Sequence, residues 1–227
     1  MTKIFIATPA YDNKVNTQYA ISLVNTCLEL SKHKIDFELR VHVSGSLLCA
    51  ERNRLVEAFW KSDCTHMLCI DADLGWPAES LIKMLEADEE FICGLYPARK
   101  EKTFIFRPVT AENGSLVVEE KKGLLEMLYV PAGFLLLKRC AIEKMREANP
   151  DLFFQPKHEK CKDESGYYFF RTEVWEGEFW GEDYVFCRVA RNSGIKIYAD
   201  PRIEFDHDGN RGMLMSILTN EKPKESE

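Results

Sequence analysis

Two aspartates one residue apart, Asp71 and Asp73, close the apolar run at residues 66–70 (HMLCI) and stand just before Gly75-Trp76-Pro77. Carboxylates delivered at the C-terminal end of a buried strand offer a hard divalent cation the oxygen ligands it prefers, beside the place where phosphates bind in open α/β sheets. The pair therefore predicts a metal–diphosphate clamp, against the alternative of a solvated turn or Asx cap. A second acidic pair, Glu182-Asp183, follows Trp180-Gly181 and opens a stretch of helical spacing. An acid held within reach of an attacking hydroxyl is a general base; the competing reading is that both acids favour the free N–H groups of a helix start, worth about 0.3–1 kcal/mol each. His207 lies in the polar stretch at residues 204–209 (EFDHDG). A neutral histidine is a competent metal ligand, and a solvated loop histidine is the plain alternative. Arg211, Arg99 and the charged run at 100–102 could bring positive charge to a diphosphate, although charge runs are usually solvated faces.

The elements that must position these residues follow from the hydrophobic spacing. Residues 3–8 form a strand stopped by Pro9, 19–30 a helix, 37–43 a strand, 48–60 a helix and 66–70 a buried strand. This β-α-β-α-β order predicts a parallel, doubly wound sheet, with residues 8–12, 44–46 and 71–75 on one rim. Beyond Pro77 the pattern changes: a helix at 78–85, strands at 91–96, 104–109, 124–130 and 134–138 in mixed or antiparallel pairing, and a helix at 141–148. Residues 151–180 are aromatic, charged and irregular, and read as a mobile loop over the site. A helix at 182–191, a short strand at 196–198 and a frayed polar tail at 221–227 complete the chain. The expected fold class is α/β in a single domain over 1–220, a mostly parallel central sheet flanked by helices with a mixed C-terminal half.

The 227 residues are 45% hydrophobic and 30% charged, enough apolar material for a core, so disorder is excluded. A formal charge of −7 argues against wrapping a nucleic acid, which needs a basic footprint. No run reaches the ~18–20 apolar residues of a membrane span, and the first residues lack a signal-peptide pattern. The expectation is a soluble, cytoplasmic protein. Eight cysteines without a C-x-x-C pair fit reduced thiols.

Five segments occur in one order along the chain: Ala7-Thr8-Pro9-Ala10-Tyr11, Ala50-Glu51-Arg52-Asn53, Asp71-Ala72-Asp73, Pro131-Ala132-Gly133-Phe134 and Trp180-Gly181-Glu182-Asp183. Taken together the chain resembles the GT-A glycosyltransferases, in particular the glycosyltransferase family 2-like group. The resemblance implies a Rossmann-like GT-A domain, with residues 1–75 as the nucleotide-binding half and 76–220 as the acceptor-binding half. It assigns Thr8, Pro9 and Tyr11 to the nucleoside, Arg52 to the nucleotide, and Asp71, Ala72 and Asp73 to the diphosphate and a divalent cation, manganese or magnesium. His207 would complete the coordination, Asp183 would act as base, and Glu182 would bind the acceptor or orient the loop. Trp180 and Gly133 fall on the acceptor side; Trp180 reads either as a stacking platform or as a buried interface aromatic.

The implied reaction is metal-dependent transfer of a sugar from a nucleoside-diphosphate sugar, UDP favoured, to a hydroxyl of a glycan, a protein-linked glycan or a small molecule, with inversion. One departure concerns the base: the family often carries an acid after strand two, whereas residues 43–46 are VSGS. Ser44 is either a base contact or a turn serine. Two alternatives share some of these features. A sugar nucleotidyltransferase normally has a glycine-rich basic loop after strand one, and residues 8–14 contain no glycine. A non-catalytic nucleotide-sugar or glycan-binding module has no need of the Glu182-Asp183 pair.

Overall fold

The computed structural model describes residues 1–11, 13–44, 47–101, 103–158 and 164–219, and for Tyr11, Val43 and Ser44 it describes the backbone. Strand β1 (Lys3–Tyr11), helix α1 (Thr17–Lys32), strand β2 (Asp36–Ser44), helix α2 (Leu48–Lys61) and strand β3 (His66–Ile70) alternate as expected. β1 pairs in parallel with β2 on one side and with β3 on the other. Its run of Ile4, Phe5, Ile6 and Ala7 is buried because helices cover both faces of a central parallel strand. The strand does not stop at Pro9, as the sequence suggested. Pairing with β3 ends at Ala7, so beyond it β1 has a neighbour on one side only and tolerates a residue without an N–H.

The second half supplies strand β4 (Leu74–Gly75), helix α3 (Glu79–Ala87), strands β5 (Phe91–Gly94), β6 (Arg107–Pro108), β7 (Val118–Glu119), β8 (Leu124–Tyr129) and β9 (Phe134–Lys138), and helix α4 (Arg139–Ala148). The described part of the stretch read as one mobile loop contains four short paired strands. Strand β10 (Phe153–Phe154) pairs with β11 (Gly166–Tyr167), and β12 (Glu173–Trp175) forms a hairpin with β13 (Glu178–Trp180). Phe169 and Phe170 between them are fully buried, and Phe170 stacks on Phe186 at 4.0 Å with rings 3° from parallel. Asn53 of α2 clamps the Phe170 backbone, donating to its carbonyl at 2.7 Å and accepting from its N–H at 2.9 Å. Of the aromatic residues in this stretch Phe169, Phe170 and Trp180 are core material, whereas Phe153, Phe154, Tyr168, Trp175 and Phe179 are exposed. Of the run 157–160, Glu159 and Lys160 lie outside the described residues, as does the tail 221–227.

Helix α5 (Glu182–Asn192), strand β14 (Ile197–Asp200), the hairpin of β15 (Glu204–His207) and β16 (Asn210–Met213), and helix α6 (Leu214–Leu218) end the described chain. The main sheet runs β2-β1-β3-β9-β5-β14-β8-β6, with β7 beside β8. β9 lies antiparallel between β3 and β5, while β14 is parallel to β5 and antiparallel to β8. The parallel half and mixed half are those the spacing predicts. Alternate residues face opposite sides: Ile4 and Ile6 pack with Tyr19, Trp76, Phe134 and Phe205, and Phe5 and Ala7 pack with Phe59, Phe91, Phe170 and Phe186. Because β9 starts where β3 ends, the turn before Phe134 is forced against the turn after Ile70. That junction holds the candidate site.

Candidate active site

Asp71 is the first residue after β3. Its N–H donates to the Gly133 carbonyl at 2.9 Å, and the Gly133 N–H in turn donates to the Tyr96 hydroxyl at 3.0 Å. A Cβ on Gly133 would lie 2.4 Å from that hydroxyl and 2.8 Å from Asp71 Oδ2, so only glycine allows the two strand ends to meet with the carboxylate in place. Arg52 of α2, with a side chain only 7% exposed, forks onto Asp71 with Nη2 at 2.9 and 3.1 Å from the two carboxylate oxygens. Its Nη1 donates to Glu182 Oε1 at 3.0 Å. Burial works against this guanidinium, but Asp71, Glu182 and Tyr96 outweigh it and hold its pKa above the ordinary value. Arg52 thus spends its donors inside the protein, joining the acid after β3 to the acid that opens α5. Burial and the Asp71 charge push the Tyr96 phenol well above its usual pKa.

Asp73 belongs to a second group. Strand β15 pairs antiparallel with β4, aligning His207 with Leu74, and this ladder delivers the imidazole to the aspartate. His207 was expected in a loop; it is the last residue of a strand, followed by the left-handed pair Asp208-Gly209 at φ 55° and 85°. Its Nδ1 lies 2.7 Å from the Pro97 carbonyl, which can only accept, so Nδ1 carries the proton and Nε2 presents its lone pair. That Nε2 lies 3.4 Å from Asp73 Oδ2. Between them comes Arg99, whose Nε donates to Asp73 Oδ2 at 3.0 Å and to His207 Nε2 at 3.3 Å, with Nη2 also on Oδ2. Burial alone would raise the Asp73 pKa, yet His207 and Arg99 hold it below the ordinary value. Burial would lower the His207 pKa, but the protonated ring would donate through Nε2 to Asp73 as well as through Nδ1 to the Pro97 carbonyl, and the shift is upward.

An oxygen and a ring nitrogen turned toward each other, with the far nitrogen anchored on a carbonyl, are a fitting donor pair for manganese or magnesium. Asp71 does not join them closely: Asp71, Asp73 and His207 do not come within 4.8 Å of one another as a trio. Among the described residues only Glu38, Asp63 and Cys64 do so, and the Lys3 ammonium bridges both of those carboxylates at the opposite rim.

Asp183 sits in the first turn of α5 beside Glu182, and its Oδ1 accepts from the Tyr184 N–H at 2.8 Å. Burial first, and then the Glu182 charge, raise its pKa. Gly181 caps the helix in an extended conformation, and a Cβ there would come within 3.3 Å of Asp183 Oδ1. Trp180 is 9% exposed and packs edge-on against Tyr129 at 4.9 Å and Trp175 at 5.1 Å. It closes the floor of a cleft of about 390 Å³ whose other walls include Arg107, Tyr129, Trp175, Glu176 and Glu178. Trp175 is exposed at that cleft, as are Val174 and Phe179, opposite each other in the hairpin and 74% and 75% exposed.

The remaining residues assigned from the sequence divide clearly. The Thr8 hydroxyl is fully buried on the Tyr19 hydroxyl at 2.6 Å and points into the core. Pro9 lies beside His42, and the Tyr11 backbone pairs with Ser44 at the same strand ends; both side chains, with Gly45 and Ser46, lie outside the description. The Ala72 carbonyl accepts from the Asn16 N–H at 2.8 Å, tying the aspartate turn to the start of α1. Tyr96 was not singled out by sequence, and Arg99 was named there as a source of positive charge for a diphosphate, not as a partner of Asp73 and His207. A tyrosine before Pro97 at a strand end is the faint signal that was there. All seven described cysteines are free, and burial pushes Cys69 and Cys187 up to about 12; Cys161 is not described.

No family model matches the sequence, and no curated protein matches it. Solved structures are similar in fold. The catalytic domain of Drosophila beta1,4galactosyltransferase 7, in complex with xylobiose, aligns over 100% of this chain and 76% of its own at 13% identity and a TM-score of 0.49. S. aureus TarS in complex with UDP aligns over 88% of this chain at 12% identity and a TM-score of 0.46. GalNAc-T7 with UDP, GalNAc and Mn2+ aligns over 91% at 10% identity and a TM-score of 0.44. The chain spans 58% of the TarS structure and 44% of the GalNAc-T7 one. At such identities the side chains of this protein itself must carry any statement of activity.

Proposed function

We propose that the protein is a glycosyltransferase that moves a sugar from a nucleoside-diphosphate sugar, UDP-linked in the first instance, to an acceptor hydroxyl with inversion. The observation that carries this reading is the convergence at the β3–β9 junction of Asp73 with His207, and of Asp71 with Arg52 and Glu182, one residue from Asp183. Asp73 and His207 are the residues to hold a divalent cation, which when bound supplies charge compensation for the leaving diphosphate. Asp183 takes the proton of the acceptor hydroxyl as that oxygen bonds to the anomeric carbon and the bond from that carbon to the diphosphate oxygen breaks. Its raised pKa makes it a stronger base than an ordinary aspartate while leaving it titratable. Arg52 keeps Asp71 and Glu182 in fixed orientation, so that the acids on β3 and α5 move as one unit. The acceptor enters from the cleft beside Trp180, where aromatic faces and the Glu176 and Glu178 carboxylates suit the apolar faces and hydroxyls of a sugar ring.

Calorimetric titration of UDP with and without manganese tests the donor side. Manganese-dependent binding that is lost in Asp73→Ala is the expected result; equal affinity in the variant removes the cation site. Donor binding by the wild type without transfer or hydrolysis of any nucleotide sugar would instead mark a non-catalytic binding module.

A further inference from the structure

We propose that Arg99 is a built-in competitor of the divalent cation, so that the cation and the diphosphate favour each other's entry. The inference rests on the proposed cation site and adds its regulation. The two ligand atoms, Asp73 Oδ2 and His207 Nε2, stand 3.4 Å apart, close to the roughly 3.0 Å between neighbouring ligands of an octahedral cation with bonds of about 2.1 Å. Arg99 Nε donates to both of them, at 3.0 and 3.3 Å. A guanidinium and a cation cannot hold the same two lone pairs, so the cation binds by expelling Arg99.

The arginine is built to leave. Its side chain is 63% exposed, against 20% for Asp73 and 12% for His207, and its described side-chain hydrogen bonds all go to those two residues. The acceptors are fixed from behind: His207 by the Pro97 carbonyl and the β4–β15 ladder, Asp73 by the turn between β3 and β4. The guanidinium is the most exposed of the three groups. Displaced by a cation alone, it loses charge-assisted hydrogen bonds; displaced when a diphosphate is present, it finds phosphate oxygens that accept in the same forked geometry. Cation and nucleotide then strengthen each other's binding by the same factor, as linkage requires.

The experiment is manganese affinity, measured by electron paramagnetic resonance of the free ion, for wild type, Arg99→Ala and Lys100→Ala, each without nucleotide and with saturating UDP. Without nucleotide, Arg99→Ala should bind manganese about 5–150-fold more tightly than wild type, the usual span of a coupling between sites. With UDP the gain should shrink or reverse, because the diphosphate has lost a partner. Lys100→Ala removes the same charge one residue away and should stay within about twofold of wild type without nucleotide, since exposed charges interact weakly. Equal manganese affinity of wild type and Arg99→Ala without nucleotide overturns the proposal, as does an equal tightening in Lys100→Ala. If wild type binds UDP with manganese and Arg99→Ala changes nothing, the cation site stands and only the competition fails. If no protein binds manganese under either condition, the site itself falls, and the competition with it.

Discussion

Asp183 is an acid whose ionised form the fold disfavours: burial raises its pKa and the neighbouring Glu182 charge adds to the rise. A carboxyl whose folded pKa stands above its unfolded value binds more protons in the native state, so its contribution to stability is complete below the unfolded pKa, near 3.8, and is lost as pH rises through the folded one. Two consequences can be measured on one variant. Asp183→Asn removes the base and should lower transfer by about 10²–10⁴-fold while leaving donor binding intact. It should also be more stable than wild type at pH 7, since an amide carries no charge to bury, and this advantage should fade as pH falls toward 3.8. Thermal melts of both proteins between about pH 3 and 8 bracket that window. A wild type that is the more stable protein at pH 7 would mean that the Asp183 carboxylate is held by contacts that favour its charge. Arg52 shows the complementary case: one buried guanidinium satisfies two carboxylates, each of which would be costly without it.

At the scale of elements, the site depends on one antiparallel insertion. β9 enters between β3 and β5, so its first turn arrives head-on at the Asp71 turn, and Gly133 is the residue at the point of closest approach. Gly133→Ala should therefore destabilise the protein by about 1–3 kcal/mol, the range for overpacking a tight site, and should weaken donor binding by displacing Asp71. In the double variant Gly133→Ala/Tyr96→Phe, the hydroxyl at 2.4 Å is gone and part of the stability should return, leaving the clashes with the ring Cζ at 2.7 Å and with Asp71 Oδ2 at 2.8 Å. Urea denaturation of the two single variants and the double gives the coupling; strict additivity would show that Tyr96 and Gly133 do not press on each other.

The sequence foretold the five elements of the first 75 residues because parallel strands buried on both faces read as short apolar runs. It placed Asp71 and Asp73 at the end of the third strand for the same reason. It did not show that β9 returns beside β3, since strand order leaves no local trace, and so the packing of Gly133 on Asp71 was not foreseen. The bonds of Arg52 to Asp71 and Glu182 were not legible either, since these partners lie 19 and 130 residues away. His207 was misplaced in a loop because Asp206, His207 and Asp208 are polar; their pairing partner Leu74-Gly75 is too short to register as a strand.

On the scale of the whole molecule, one helix ties the two halves of the chain together. α2 belongs to the first half, yet its Arg52 holds Glu182, its Asn53 holds Phe170, and its Glu57 pairs with Arg146 at 2.9 Å. The main sheet is also shared, with β2, β1 and β3 continuing into β9, β5, β14 and β8 without a break. Two halves joined by one sheet and one helix should unfold together, as small two-state domains do. The four tryptophans make this testable because they sample both halves: Trp60 in α2, Trp76 after β4, and Trp175 and Trp180 in the β12–β13 hairpin. Urea curves from tryptophan fluorescence and from far-ultraviolet circular dichroism should superimpose. Asn53→Ala strands the buried N–H and carbonyl of Phe170, at about 1–3 kcal/mol for each group left unsatisfied, and should shift both curves to lower urea by the same amount. A fluorescence transition that moves ahead of the dichroism curve in Asn53→Ala would show that the segment after α4 can detach by itself, and that the halves are held by that clamp more than by the shared sheet.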